Sequence, residues 1–169
     1  ILFHPNLLPT FALLDPKLTI KLPQPITSAS GVDALIHCIE AYLSPNFHPM
    51  ADGIALEALR LIVENLPKAY FDGEDMDARG KMLLAASMGA TAFQKGLGMI
   101  HSMAHALSAK YDMHHGLACA LLTPACINFL EQSELSSDQR QRLDTLNAIF
   151  LDKGIGSDYL AATLKEFTL

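Results

Sequence analysis

The chain has 169 residues; half are apolar, 18% are charged, and the mean hydropathy is +0.24, which excludes a disordered chain and supplies core material for one packed domain. Twelve Lys and Arg against 18 Asp and Glu give a formal charge of −6, with no basic cluster, so a nucleic-acid partner held through phosphate contacts is excluded. Cys38, Cys119 and Cys126 form neither a CxxC pair nor an even set, which points to a reducing, cytoplasmic setting.

Residues 1–26 are rich in proline, including Pro23-Gln24-Pro25, and hold one short apolar run at Thr10–Leu14. Proline removes backbone donors and fixes φ, so this leader reads as loop with at most one strand, at 10–14. Its prolines and lack of a basic start argue against a signal peptide. From Thr27 the texture changes, and Ala, Leu and Met recur at helical spacing to residue 169. A first helix is expected over Asp33–Leu43 and a second over Asp52–Tyr70, with Ala55, Leu59, Ile62, Val63 and Leu66 on one face. A third, over 76–94, is small and apolar and is expected to be buried all round. Gly96 and Gly98 interrupt it, 99–111 resume, and Gly116 precedes a helix over 117–131. Ser136 and Gln139 match a capping box for a helix to about Lys153, and Gly154 and Gly156 end it before a last helix over 158–167. The stretch 113–130 carries no formal charge over 18 positions but contains two histidines, a proline and an asparagine, so a membrane span is not expected. The expected fold is all-α, a bundle-like body of six to seven helices over 27–169, behind a Pro-rich leader over 1–26.

His101, His105, His114 and His115 crowd into one stretch built otherwise of Gly, Ala, Met, Leu and Ser, and His37 follows Asp33 by four residues. An i, i+4 spacing puts two side chains on one helical face, so Asp33/His37 and His101/His105 form two same-face pairs. His115, beside Gly116, can turn back toward the preceding helix. One carboxylate and several neutral imidazoles suit a first-row divalent ion. Plainer readings stand beside this one: Asp33 could cap a helix after Ser30, His37 could be a core histidine, and HxxxH at 101–105 lacks the glutamate of a zinc-protease helix. The cysteines read as packing residues, Glu40 and Glu57 as surface carboxylates, and Met82, Met88, Met99 and Met103 as core. His4, His48 and His114 have no distinctive partner in sequence.

Four stretches together, LLDPKLTIKLP (13–23), SGVDALIHCIEAYLS (30–44), ADGIALEALRLIVENLPKAYFDGEDMDAR (51–79) and AFQKGLGMIHSMAHALSAKYDMHHGLACALLTP (92–124), resemble the iron-containing (group III) alcohol dehydrogenase family. The resemblance implies the all-helical, dehydroquinate synthase-like C-terminal domain of a two-domain enzyme, cut short at its C-terminus. Its N-terminal nucleotide-binding domain would be absent except for the last strand at 10–14, in keeping with the lack of a GxGxxG turn. It implies that Asp33, His37, His101 and His115 are ligands of Fe2+ (or Zn2+), with three Nε2 atoms and an Asp33 oxygen meeting at one point. His105 matches a histidine beside the nicotinamide and substrate that is linked to proton transfer. The implied activity is hydride transfer between a small alcohol or aldehyde and NAD(P), with no dehydrogenase activity expected of these 169 residues alone. The missing domain is the implied partner, and an open apolar face where it docks could favour homo-oligomers. The alternative is a helical metal-binding or assembly module without catalysis.

Overall fold

Helical periodicity dominates the chain after its proline-rich start, and the backbone follows it. The computed structural model describes residues 4–7 and 9–168; among them are seven α-helices, three short 3-10 turns and no strand. The helices are α1 (Gln24–Leu43), α2 (Pro49–Phe71), α3 (Met76–Ala92), α4 (Met99–Tyr111), α5 (His115–Glu131), α6 (Ser137–Leu151) and α7 (Leu160–Thr168). What the sequence suggests for residues 1–3, 8 and 169 lies outside the described residues.

Four expectations need correction. The run at 10–14 is not a strand: Phe11 and Leu13 are 90% and 91% exposed, and no described segment runs beside it to supply the ladder a strand requires. α1 begins at Gln24 rather than at 27 or 33, with Pro25 in its first turn. There a missing N–H has no intrahelical carbonyl to serve, and the fixed φ suits the helix, so the same residue that breaks a helix interior starts this one. Asp33 therefore sits in the middle of α1 and cannot be its cap. α3 is not buried all round: Ala78, Arg79, Ala85, Gly89 and Ala92 are covered, while Leu84 stays 46% exposed. Its small residues let α1 and α2 approach closely along one face and leave the other bare. Met99 and Met103 are likewise 38% and 41% exposed, on the open side of α4.

The remaining boundaries follow the local chemistry. His48 caps α2, its ring accepting from the Ala51 N–H, and Asp75 caps α3 through the Ala78 N–H. Ser136 and Gln139 close a reciprocal capping box on α6. α1 is the centre of the molecule, packed against α2, α3, α5 and α6, which is why half of its length is buried. Its Leu35, Ile36 and Ile39 meet Leu59 and Ile62 of α2, Ala85 of α3, Ile100 of α4 and Phe150 of α6 in one core. No helix is long and apolar enough to cross a membrane among the described residues.

The start of α4 is held in place from outside the helix. In the 3-10 turn Phe93–Lys95, the buried Lys95 ammonium donates to the Tyr42 carbonyl and pairs with Asp52 of α2. Arg142 of α6 donates to the same carbonyl and the same aspartate. One carbonyl at the end of α1 and one carboxylate thus receive two cations, and the turn that leads into α4 is tied to three helices.

Candidate metal centre

Three helices bring their polar residues to one place. α1 supplies Asp33, His37 and Glu40, α4 supplies His101 and His105, and α5 opens with His115. The offsets of 4 and 7 residues from Asp33 to His37 and Glu40 keep all three on one stripe of an otherwise apolar helix.

Glu40 is the residue that sequence reasoning misplaced. It is not a surface carboxylate but is 5% exposed. Its Oε1 accepts from the Ile100 N–H at 2.7 Å, and its Oε2 accepts from the His101 N–H at 3.3 Å. α4 has no cap of its own at Gly98, so a carboxylate from α1 satisfies its first donors and sits at the positive end of its dipole. A Cβ at Gly98 would lie 2.7 Å from Glu40 Oε1, so only glycine leaves room for this arrangement. Glu40 Oε2 also lies 2.7 Å from His101 Nδ1. With Nδ1 donating to Glu40, the other ring nitrogen faces Asp33, the carboxylate–histidine arrangement that prepares an imidazole to bind a metal once that nitrogen gives up its proton.

Asp33 Oδ1 is the focus of the site. His101 Nε2 lies 3.5 Å from it and His115 Nε2 lies 3.4 Å from it. His101 Nε2 is fully buried and has no hydrogen-bond partner, a costly condition for a polar atom left to itself. His37 approaches from the other side: its Nδ1, rather than Nε2, faces Asp33 Oδ2 at 3.8 Å, and its ring lies 4.3 Å from that of His101 and 5.1 Å from Phe93. The i, i+4 pairing on α1 turns that ring nitrogen toward the carboxylate. Cys119, one turn after His115, is the second residue whose place the sequence did not disclose. Its thiol is 3.7 Å from Asp33 Oδ1 and 3.8 Å from His115 Nε2. Donor atoms of Asp33, His101, His115 and Cys119 all lie within 4.8 Å of one another. The signal was the i+4 spacing from His115, hidden in an apolar stretch. Cys38 and Cys126 are buried in the core, as expected of packing residues.

His105 stands at the rim. It is exposed, stacks on His115 at 5.0 Å between ring centroids, and lies 6.1 Å from His101. His114 is exposed beside the first turn of α5.

Burial opposes charge on His101, but the carboxylates of Asp33 and Glu40 outweigh it and push the imidazole up to about 9. Burial works against the Asp33 carboxylate too, yet His101, His37 and His115 hold it below its usual range. The Glu40 carboxyl is also low, its burial overcome by His101 and the N–H groups of α4. His37 and His115 are lowered, first by burial and then by the charge on His101. Burial and the nearby Asp33 charge push the Cys119 thiol up to about 12. Two carboxylates with a single imidazolium leave the cluster net negative, and two neutral imidazoles stand beside it. That is a suitable environment for a divalent cation.

The donor set fits such an ion. Metal–nitrogen and metal–oxygen bonds of about 2.0–2.2 Å in a tetrahedral site require ligand separations of roughly 3.3–3.6 Å. The two distances measured from Asp33 Oδ1 to the imidazoles, 3.4 and 3.5 Å, fall in that range. A bound cation would also give the orphaned His101 nitrogen its partner.

Residues 27–166 match the C-terminal model of the Fe-containing alcohol dehydrogenase family. The chain is 47% identical over 133 residues to 4-hydroxybutyrate dehydrogenase of Cupriavidus necator, an alignment covering 75% of this chain and 35% of that protein. Among solved structures, maleylacetate reductase of Rhizobium sp. strain MTP-10005 superposes with a TM-score of 0.86 at 28% identity, over 99% of this chain and 45% of that one. The iron-containing alcohol dehydrogenase of Thermococcus thioreducens gives a TM-score of 0.79 at 29% identity, over 97% and 42% of the two chains. The chain thus spans about 35–45% of the length of these relatives. A family match over most of its length, on a helical body where Asp33, His101 and His115 gather at one point, makes the chain a member of the iron-containing alcohol dehydrogenase family, within that family's C-terminal domain.

Proposed function

We propose that these residues form the metal-bearing helical part of an NAD(P)-dependent oxidoreductase acting on small alcohols or aldehydes. Asp33, His37, His101 and His115 would hold the divalent ion, iron or zinc. The observation that carries this reading is His101 Nε2, buried without a hydrogen-bond partner and turned toward the carboxylate oxygen that His115 Nε2 also approaches.

A cation bound there supplies Lewis acidity toward the oxygen of an alcohol or carbonyl substrate. The chain's own residues do the remainder. Glu40 holds His101 in one tautomer and fixes its ring. The apolar helices α1, α4 and α5 keep water from the inner side of the cluster, which strengthens its electrostatics. His105, exposed at the rim and stacked on His115, would take the hydroxyl proton and pass it to solvent as a general base. The hydride acceptor would be a nicotinamide bound mainly by the proposed N-terminal domain.

The curated relatives named 4-hydroxybutyrate dehydrogenase and 1,3-propanediol dehydrogenase support alcohols as the substrate class. The test is metal content of the purified chain after anaerobic incubation with Fe2+ or Zn2+, repeated on Asp33→Ala and His101→Ala. One ion per chain, lost in both variants, is the expected result. An unchanged metal content in both variants would place the ion elsewhere and overturn the reading.

A further inference from the structure

We propose that Lys95 is a positioning residue for the metal centre, holding the start of α4 where Glu40 and His101 meet. The inference rests on the metal reading above and extends it to a residue outside the cluster.

Lys95 is bound at both of its ends. Its side chain is fully buried, and its ammonium donates to the Tyr42 carbonyl at 3.1 Å and pairs with Asp52 of α2. Its own carbonyl accepts from Ser44 Oγ at 3.3 Å and from Asn46 Nδ2 at 2.9 Å. Tyr42, Ser44 and Asn46 all lie in the last turn of α1 or just beyond it, shortly after Glu40. Lys95 thus ties the segment that follows Glu40 to the segment that leads into α4. A little further on, the N–H groups of Ile100 and His101 and the His101 ring all reach the Glu40 carboxylate. Between these two ties stand Gly96, at φ 148°, and Gly98, which leave the intervening backbone free to swing. The contacts at its two ends therefore impose the position of α4 on α1, and with it the reach of His101 toward Asp33.

Stability alone does not account for a buried ammonium here. Taking a charge pair out of water costs about what its attraction returns, and apolar side chains of similar volume often serve as well. Arg142 already donates to the Tyr42 carbonyl at 2.9 Å and to Asp52 at 3.1 Å, so neither group depends on Lys95 for a partner. What the ammonium adds is direction, drawing the turn Phe93–Lys95 onto the end of α1.

The same redundancy makes Lys95→Met a suitable test, since it leaves Tyr42 and Asp52 partnered. Co2+ alone is titrated anaerobically into the 169-residue chain and its variants. Affinity and the visible bands of bound cobalt are read, with urea unfolding in parallel. We expect Lys95→Met to stay folded, its cobalt affinity to fall by roughly tenfold, the lower end of the loss when an outer-shell partner is removed, and its bands to shift as His101 moves. Because Lys95 acts through Glu40, Lys95→Met should cost no further affinity in a Glu40→Gln chain. If Lys95→Met does not fold, Asn46→Ala, which removes one donor to the Lys95 carbonyl, carries the test with the same signs. A folded variant with the parent's affinity and bands, whatever its urea midpoint, overturns the positioning role and leaves the metal reading standing. Losses that simply add to those of Glu40→Gln also overturn it. Failure of the unmodified chain to bind cobalt at all would overturn both.

Discussion

At His101 two carboxylates and the surrounding apolar helices compete, and the carboxylates prevail. The imidazole is pushed up to about 9 in the fold, against an unfolded value near 6.5. A group whose pKa is raised by folding contributes stability that is complete below its unfolded pKa and is lost as pH rises through the folded one. In the metal-free chain this contribution is therefore full at pH 6 and declines between pH 6.5 and 9. Asp33 and Glu40 act in the opposite sense: their carboxyls lie below the usual range in the fold, so their share is lost only on acidification. The chelated chain is expected to lose on the order of 2 kcal/mol between pH 6 and 8, below the range in which unfolding releases thiol protons from the buried cysteines, measured by urea unfolding in the presence of a chelator. Glu40→Gln, which removes one of the two charges facing His101, should flatten that decline. The same substitution should lower zinc affinity by roughly 10–100-fold, because His101 loses the partner that fixes its tautomer. A Glu40→Gln chain with an undiminished pH slope and unchanged affinity would return Glu40 to a purely structural role at the start of α4.

Helix contacts set how much of this could be read beforehand. Asp33 with His37, and His101 with His105, were legible because each pair lies one turn apart on a single helix. Glu40 and Cys119 were not, because what distinguishes them comes from another helix. The partners of Glu40 lie 60 and 61 residues away on α4, and Cys119 meets Asp33 across 86 residues. A carboxylate seven positions after Asp33 on an apolar helix was a sign of burial, yet without a known partner it reads as a surface charge. Pro25 misled for a different reason, since a proline that ends one helix begins another equally well. Gly116 shows the same dependence on a neighbour. A Cβ there would stand 2.0 Å from the Ala29 carbonyl oxygen and 2.5 Å from its carbon, atoms of the α1 backbone that cannot swing aside. Gly116→Ala is therefore expected to cost about 3 kcal/mol, at the upper end of the range for overpacking. It should also weaken metal binding, because His115 is its neighbour and the start of α5 must move away from Asp33. Gly53, exposed in the interior of α2 with no atom within 4 Å of where a Cβ would stand, is the control: Gly53→Ala should stabilise by roughly 0.5–1 kcal/mol through helix propensity alone. Chemical denaturation of the two variants checks both signs, and equal effects from the two would mean that the α1–α5 approach is less tight than it stands here.

Over the whole molecule, the donors come from three helices that are otherwise joined mainly by apolar packing. α1 lies at the centre of the body, α4 reaches the cluster through its Glu40-held start, and α5 meets α1 at the Gly116 crossing. An ion bound to Asp33, His101 and His115 would link residues that are 68 and 14 positions apart in succession, and it would bind the folded arrangement far better than the unfolded chain. Mass action then makes metal a stabiliser of the entire fold. At a free concentration about 100 times the dissociation constant, the gain is about 2.7 kcal/mol. For a domain of this size each kcal/mol moves the midpoint by roughly 2–4 °C, so zinc should raise it by roughly 5–11 °C. The rise should grow with the logarithm of zinc concentration and reverse with chelator. Asp33→Ala removes the oxygen on which the two imidazoles converge, and its melting curve should not respond to zinc at the same concentration. A thermal scan of both proteins across a zinc titration checks this. Equal shifts in the two would mean that zinc stabilises the body from some other surface, whereas a shift confined to the parent chain would tie its cooperativity to the point where α1, α4 and α5 meet.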